Sequence, residues 1–452
     1  MSAKKGLFLG MLAAVLLVVS GCGTQGSGKA TLQGKLVNLC GSPIAYKTVY
    51  VPGHDPVLSD ADGSFTVEDV AAPYDLVIAN AYFLEDETGE TPILVYQGLT
   101  EMEPTVAVRT FGDADKDGCN YVTVGGSLSS EDAGTNYAVV TSTDYSVSKI
   151  TASWQEENTY SLNQYVAPGD RVYLQSLFWN EGDDGQIATF VGEAHDSFVS
   201  NGEDATKNLQ FAPITTGSAS VSVTAPVGVI FSSVRHYAYV EGYPAAVQLE
   251  TKKDSDAVDG KIAFATPNAE GWGSLFFATG KIGLETESVT GSGIATTRGD
   301  VGVWRRVPDN GSAEVDMQLP DPLVPIVPLN GATIDSGSSF SWMGPEDAVY
   351  FASFNLRYDG GSASIQVITK NTSLTLPDLA SLGLNMDGVG KGYWLVGYWK
   401  SNGLPDSVDE AATLESVRKL ALLWNGAYPT DEGEIGFALG GFFLFAGEST
   451  NR

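Results

Sequence analysis

The chain has 452 residues, with 55 acidic against 25 basic side chains and a formal net charge of -30. That charge argues against nucleic acid and anionic lipid surfaces as partners, because their phosphates would be repelled. The length exceeds one ordinary core and suffices for three or four domains. Abundant glycine, scarce Lys and Arg, and short alternating runs rich in Thr, Val, Tyr and Ser make an all-β composition.

The chain opens with Lys4 and Lys5, then a run of apolar and small residues from Leu7 to Val19. The run is shorter than the 20 or so apolar residues that a membrane-spanning helix needs, and its layout is that of a cleavable secretion signal. An Ala-x-Ala cleavage site is missing, and Val19-Ser20-Gly21-Cys22 stands in its place. This resembles the lipobox of bacterial lipoproteins; the alternative is a plain signal peptide with a chance cysteine. The resemblance implies that Cys22 receives a diacylglyceryl group and becomes the first mature residue. Two or three acyl chains anchor stably where one is marginal. Gly23 to Gly28 is then a flexible tether. An aspartate after the cysteine often signals inner-membrane retention in such proteins. Gly23 carries no such signal, so the expected location is the outer membrane or cell surface. Losing residues 1–21 leaves 431 residues and a charge of about -32, since Lys4 and Lys5 go with them.

The stretch "LQGKLVNLCGSPIAYKTVYV" alternates apolar and polar residues, turns at Gly41-Ser42-Pro43 and alternates again. Asp60-Ala61-Asp62-Gly63 then makes a second tight turn before Phe65 and Val67, a hairpin signal. With Gly34, Leu36, Pro43, Val49, Val70, Tyr74, Leu76 and Val77, the stretch resembles the carboxypeptidase regulatory-like domain, a transthyretin-like β-sandwich, over residues 30–112. Pro73 departs from the family, which usually has glycine before the tyrosine.

"GSFTVEDVAAPYDLVIANAYF" (63–83) aligns with "NTYSLNQYVAPGDRVYLQSLF" (158–178), Phe65 falling on Tyr160 and Asp75 on Asp170. Gly34 meets Gly126, and Gly98 meets Gly192, so the offset of about 92–95 residues is domain-sized. "ATPNAEGWGSLFFATG" (265–280) echoes the same turn and strand a third time. The expected sandwiches therefore cover 30–112, 119–213 and 216–319. Pro-rich "LPDPLVPIVPLNGATI" then marks a linker. Residues 320–452, with Trp342, Tyr350-Phe351, Leu374, Tyr393-Trp394 and Val396, resemble a fibronectin type III-like domain, an immunoglobulin-like sandwich in which tryptophans pack between the sheets. Within it, Ser407 and Glu410 form a capping-box pattern, and Val417, Leu420, Ala421 and Trp424 share one helical face, predicting a short helix between the last two strands. "GFALGGFFLFAG" (436–447) reads as a buried closing strand.

Chemistry is sparse. His54, His195 and His236 lie far apart, and no Cys-x-x-Cys, Gly-x-Ser-x-Gly or phosphate loop occurs. No catalytic residues are assigned, and the expectation is a rod of sandwiches acting as a binding or structural module, with the C-terminal domain farthest from the membrane. Its partners are the membrane, through the lipid anchor, and an envelope protein or glycan. The competing class is an envelope hydrolase, or an accessory subunit of one, with its site between domains. Once Cys22 is lipidated, Cys40 and Cys119 remain as an even pair in an exported chain, for which a disulfide is expected; two separate buried thiols are the alternative. Trp179 and Trp399 sit at strand ends beside polar turns, where they either stack on a glycan ligand or belong to the core.

Asp113, Asp115 and Asp117 alternate before Gly118, the first half of a calcium loop. The bidentate Glu of an EF-hand would fall on Val124, so the choice is between another kind of calcium site, completed by the Cys119 carbonyl and Asn120, and an acidic turn. A site with so few ligands should bind calcium weakly, on the order of 0.1–1 mM. Millimolar calcium is then expected to raise the melting temperature modestly, and magnesium less. An equal rise in a variant with Asp115→Asn and Asp117→Asn would assign the effect to general screening, and no rise in either would leave an acidic turn.

Overall fold

A computed structural model describes residues 28–79, 90–108, 118–129, 135–154, 158–287, 294–308, 312–328, 331–334, 338–358, 361–376, 382, 389–424 and 430–445. Cys22 and Asp113, Asp115 and Asp117 lie outside them. The fold is all-β, with two short helical segments near the C-terminus. Period-two patterning drives it: in Thr159–Val166 every second side chain is buried, Tyr160, Leu162 and Val166 among them.

One topology occurs three times. In the first unit, Ala30–Val37 lies between Ser64–Val70, antiparallel, and Thr105–Ala107, parallel. In the second, Asn120–Ser129 lies between antiparallel Thr159–Val166 and the short parallel strands Ala205–Thr206 and Leu209–Gln210. In the third, Thr215–Thr224 lies between antiparallel Lys261–Asn268 and parallel Ser312–Gln318. Aromatic residues take matching places in the three units. Phe65 stands opposite Gly34, Tyr160 opposite Gly126, and Phe264 opposite Ala219. A Cβ on Gly34 would strike the Phe65 ring, so the small residue makes room for the large one. Across from each of these small sheets stands a larger one, four strands of which follow a common order. In the second unit these are Val147–Ser153, Asn136–Ser142, Arg171–Glu181 and Ile187–Val199. The fourth unit repeats this order with Gly361–Thr369, Val349–Tyr358, Val389–Lys400 and Glu432–Phe445, opposite a small sheet of Val324–Val327, Ser339–Met343 and Ser373–Thr375.

The large sheets of the third, fourth and first units are one continuous sheet. Ile294–Pro308 pairs antiparallel with Glu432–Phe445, from Gly299 opposite Ala438 to Arg305 opposite Glu432. Gly361–Thr369 pairs in parallel with Glu90–Leu99, from Ser362 opposite Glu90 to Ile368 opposite Tyr96. The expected rod is therefore corrected: the last unit returns to the first. The physical reason is that a sheet edge carries unpaired N–H and C=O groups, and these edges satisfy each other. The small sheets of the third and fourth units cover one face of the joint sheet, in a core that includes Phe264, Phe340, Trp342 and Trp394. The first unit's small sheet and the helices cover the opposite face, around Leu32, Phe65, Val408 and Leu420.

The helical stretch is split into α1 (Val408–Ala411) and α2 (Leu414–Trp424). The Ser407 hydroxyl accepts the Glu410 amide at 3.2 Å, as a cap should. The Glu410 carboxylate, however, accepts from the Asp406 amide at 3.1 Å. Thr413 breaks the helix and caps its second part, its hydroxyl accepting the Ser416 amide at 3.3 Å. Leu420 and Ala421 are buried as their spacing requires.

Asp409 pins α1 to the first unit, its carboxylate accepting the Thr100 amide at 2.8 Å, the Thr100 hydroxyl at 2.6 Å and the Glu101 amide at 3.1 Å. Hydrogen bonds to a charged group contribute about 1.5–3 kcal/mol where sheltered and less where exposed. Asp409→Ala is therefore expected to cost about 1–2 kcal/mol in denaturant unfolding, and Asp409→Asn less. Wild-type stability in the alanine variant would show that the clamp contributes nothing.

Candidate functional site

Cys40 follows the first strand and Cys119 precedes the first strand of the second unit. Their Cα atoms are 5.8 Å apart, within the span a disulfide bridges. Above them sits Tyr145, whose hydroxyl donates to the Asp170 carboxylate at 2.5 Å and accepts the Ala167 amide at 3.0 Å. Burial, and then Asp170, push the Tyr145 phenol well above its ordinary range, so it stays a neutral donor. The Arg418 guanidinium of α2 lies 4.8 Å from the Tyr145 ring centroid and donates through Nε to the Leu39 carbonyl at 2.7 Å. One arginine thus touches the first and second units from a helix of the fourth. Neither Tyr145 nor Arg418 carries a motif. A basic residue on the predicted helix of so acidic a chain was the available signal.

The sequence-derived ligand candidates fare differently. Trp179 is 3 % exposed and Trp399 2 % exposed, too buried to stack on a glycan. Trp179 packs into the core between the second and third units, with Leu177, Phe190 and Trp272. Trp399 lies nearly parallel to Phe351, and its indole N–H donates to the Pro405 carbonyl at 3.1 Å. Both are core residues because neighbouring units pack over the strand ends that suggested exposure.

The three histidines stay apart. His236 is fully buried, stacked on Phe276 with Nε2 3.1 Å from the Ser274 hydroxyl. Burial, with Lys252 adding to it, lowers its pKa to about 3. His195 pairs with Glu193 at 2.9 Å, and the same carboxylate oxygen accepts the Trp272 indole N–H at 3.0 Å. Beside them a cleft of about 720 Å³ opens at the seam of the second and third units, lined also by Asn268 and Glu270. No group of three potential metal ligands converges among the described residues.

A second cleft, about 520 Å³, lies at the seam of the third and fourth units. It gathers Asp316, Asp347, Asp406, Glu432 and Glu434 with the cations Arg305 and Lys400. Burial raises the Glu434 pKa; Lys400 opposes the rise and Asp321 adds to it. Both cations donate to backbone carbonyls, Arg305 to Asp316 at 3.4 Å and Lys400 to Glu346 at 3.3 Å.

No family model and no curated protein matches the chain. Among solved structures it is similar to the Bacillus anthracis TIE protein, at 10 % identity over 65 % of this chain, with a TM-score of 0.17. The chain spans about half, 51 %, of that protein's length. It is similar to a streptococcal ancillary pilin at 6 % identity, covering 64 % of this chain and 99 % of that one, with a TM-score of 0.15. A putative adhesin from Bacteroides ovatus matches at 9 % identity over 46 % of this chain and 95 % of that one, with a TM-score of 0.14.

The junction at Cys40 yields a measurable expectation. Protein purified under oxidising conditions should show no free thiol at Cys40 or Cys119. A bond spanning 79 residues stabilises by roughly 4 kcal/mol in the chain-entropy model. Reduction should therefore lower the denaturation midpoint, and two thiols titrating in the untreated protein would refute the bond.

Proposed function

We propose that this chain is a lipid-anchored envelope protein that works as a non-catalytic binding or structural module, held to the outer membrane or cell surface by Cys22. The observation that carries the module reading is the continuous sheet joining three of the four units. Such a sheet makes a stiff scaffold: hinging it would break a ladder of backbone hydrogen bonds. No helix of the described residues is long and apolar enough to cross a membrane; in this reading the acyl chains on Cys22 provide the attachment. The family resemblances of the first and fourth units fit an accessory role, and the partner is an envelope protein or glycan.

One observation favours the hydrolase reading: the acidic cleft at the third seam, where burial raises the pKa of Glu434 as a general acid requires. The module reading is preferred because that cleft offers no aromatic face to a sugar, Trp304 and Trp399 both being buried.

The test combines labelling with an activity control. Labelled palmitate should enter the wild type and not Cys22→Ser, and the mature chain should release no soluble fragments from isolated envelopes. Label in the Cys22→Ser variant would overturn the anchor. Fragments released by wild type and not by Glu434→Gln would replace the module with the hydrolase.

A further inference from the structure

The helix-side face of the joint sheet carries a trough of about 410 Å³ where the third unit meets the fourth, within the size range of small-ligand pockets. Its depth comes from two glycines. Along one row of the ladder, Lys281, Asp300, Phe437, Gly397 and Phe351 stand side by side. Along the next, Thr279, Gly302, Ile435 and Trp399 do the same. A Cβ on Gly302 would strike the Phe277 ring, and one on Gly397 the Phe351 ring. The rings therefore lie down over the glycines and leave an apolar floor, which Leu423 of α2 borders on one side.

The charges are at the ends. Lys281 and Asp300 are register partners of opposite sign. Four residues along the same strand, at about 3.3 Å each and thus roughly 13 Å away, Phe277 pairs with Arg235. The Arg235 guanidinium lies 5.8 Å from the Phe277 ring centroid. It enters none of the ion pairs among the described residues, although acidic side chains outnumber basic ones about two to one.

We propose that this trough binds a small amphipathic anion: a single unbranched apolar chain bearing one carboxylate. The chain would lie on the half-buried Phe437 and Ile435, and the carboxylate would take two parallel hydrogen bonds from Arg235. The length between the charged ends suits a medium chain. The site needs neither the lipid anchor nor an envelope partner, so it stands or falls apart from the proposed function.

The probe is sodium decanoate, titrated calorimetrically into the soluble mature chain carrying Cys22→Ser. Saturable binding of one decanoate per chain is expected. Arg235 is exposed, so its replacement should leave the fold intact. Arg235→Ala should weaken binding about tenfold or more, and Arg235→Lys by less, because it keeps the charge and loses the fork. Decyltrimethylammonium, with the same chain and the opposite charge, should bind at least tenfold more weakly than decanoate, and butanoate should not saturate. Equal decanoate affinity in wild type and Arg235→Ala would overturn the proposal. So would non-saturating uptake by the wild type, or tighter binding of the cation.

Discussion

The arrangement depends on one stretch of backbone pairing, the parallel ladder between Gly361–Thr369 and Glu90–Leu99. The two strands are separated by more than 260 residues, and seven register pairs join them. Without this ladder, the first and fourth units would each present an open edge. With it, a chain that leaves the first unit through the second and third comes back to where it began. Loop-closure entropy disfavours so distant a contact, but the cost grows only with the logarithm of the length, and the intervening units are themselves folded. The helices reinforce the closure. Asp409 holds backbone amides of the first unit, the Ala107 amide donates to the Ala412 carbonyl at 2.8 Å, and Arg418 reaches Leu39.

An acidic chain must place its cations where they matter, because its own carboxylates repel. Arg418 sits at the junction of three units, with its guanidinium over Tyr145. Arg306 lies over the Tyr239 ring at 4.4 Å, and burial lowers its pKa. Each uses an aromatic face, and Arg418 a backbone carbonyl as well, which suits guanidinium better than ammonium. His236 shows the opposite solution, a basic side chain kept neutral. Its folded pKa lies below its unfolded value, so the unfolded chain takes up the proton first. Its contribution to stability is present above about pH 6.5 and declines as the pH falls toward 3.

The sandwich class, the repeat and the closing strand were legible because each is written in local pattern. Phe65 and Tyr160 occupy matching places, and the Ser407 cap starts a helix as its chemistry requires. The closure was not foreseen, although a trace of it exists. Ile93, Leu94, Val95 and Tyr96 are consecutive and all buried, the signature of a strand covered on both faces and paired on both edges. An isolated sandwich strand would alternate instead. The tryptophans misled for a related reason. Polar turns near Trp179 and Trp399 suggested exposed loop ends, whereas contacts from other units bury both rings. Only tertiary packing decides that, and local pattern carries no record of which unit packs on which.

Closure also changes where a partner can be met. In a rod, the unit farthest along the chain would be the one farthest from the first. Here the first unit is paired directly with the fourth, so distance along the chain no longer measures distance from the first unit. The surfaces that differ from a lone sandwich are the seams, where two units contribute side chains to one concavity. The cleft beside Glu193 and the acidic cleft beside Glu434 are both of this kind, and so is the trough over Gly302 and Gly397. Each exists only while neighbouring units stay in register. Stiffness and the shape of these concavities are therefore the same property in this fold: the ladders that prevent hinging also hold the seam residues at fixed spacing.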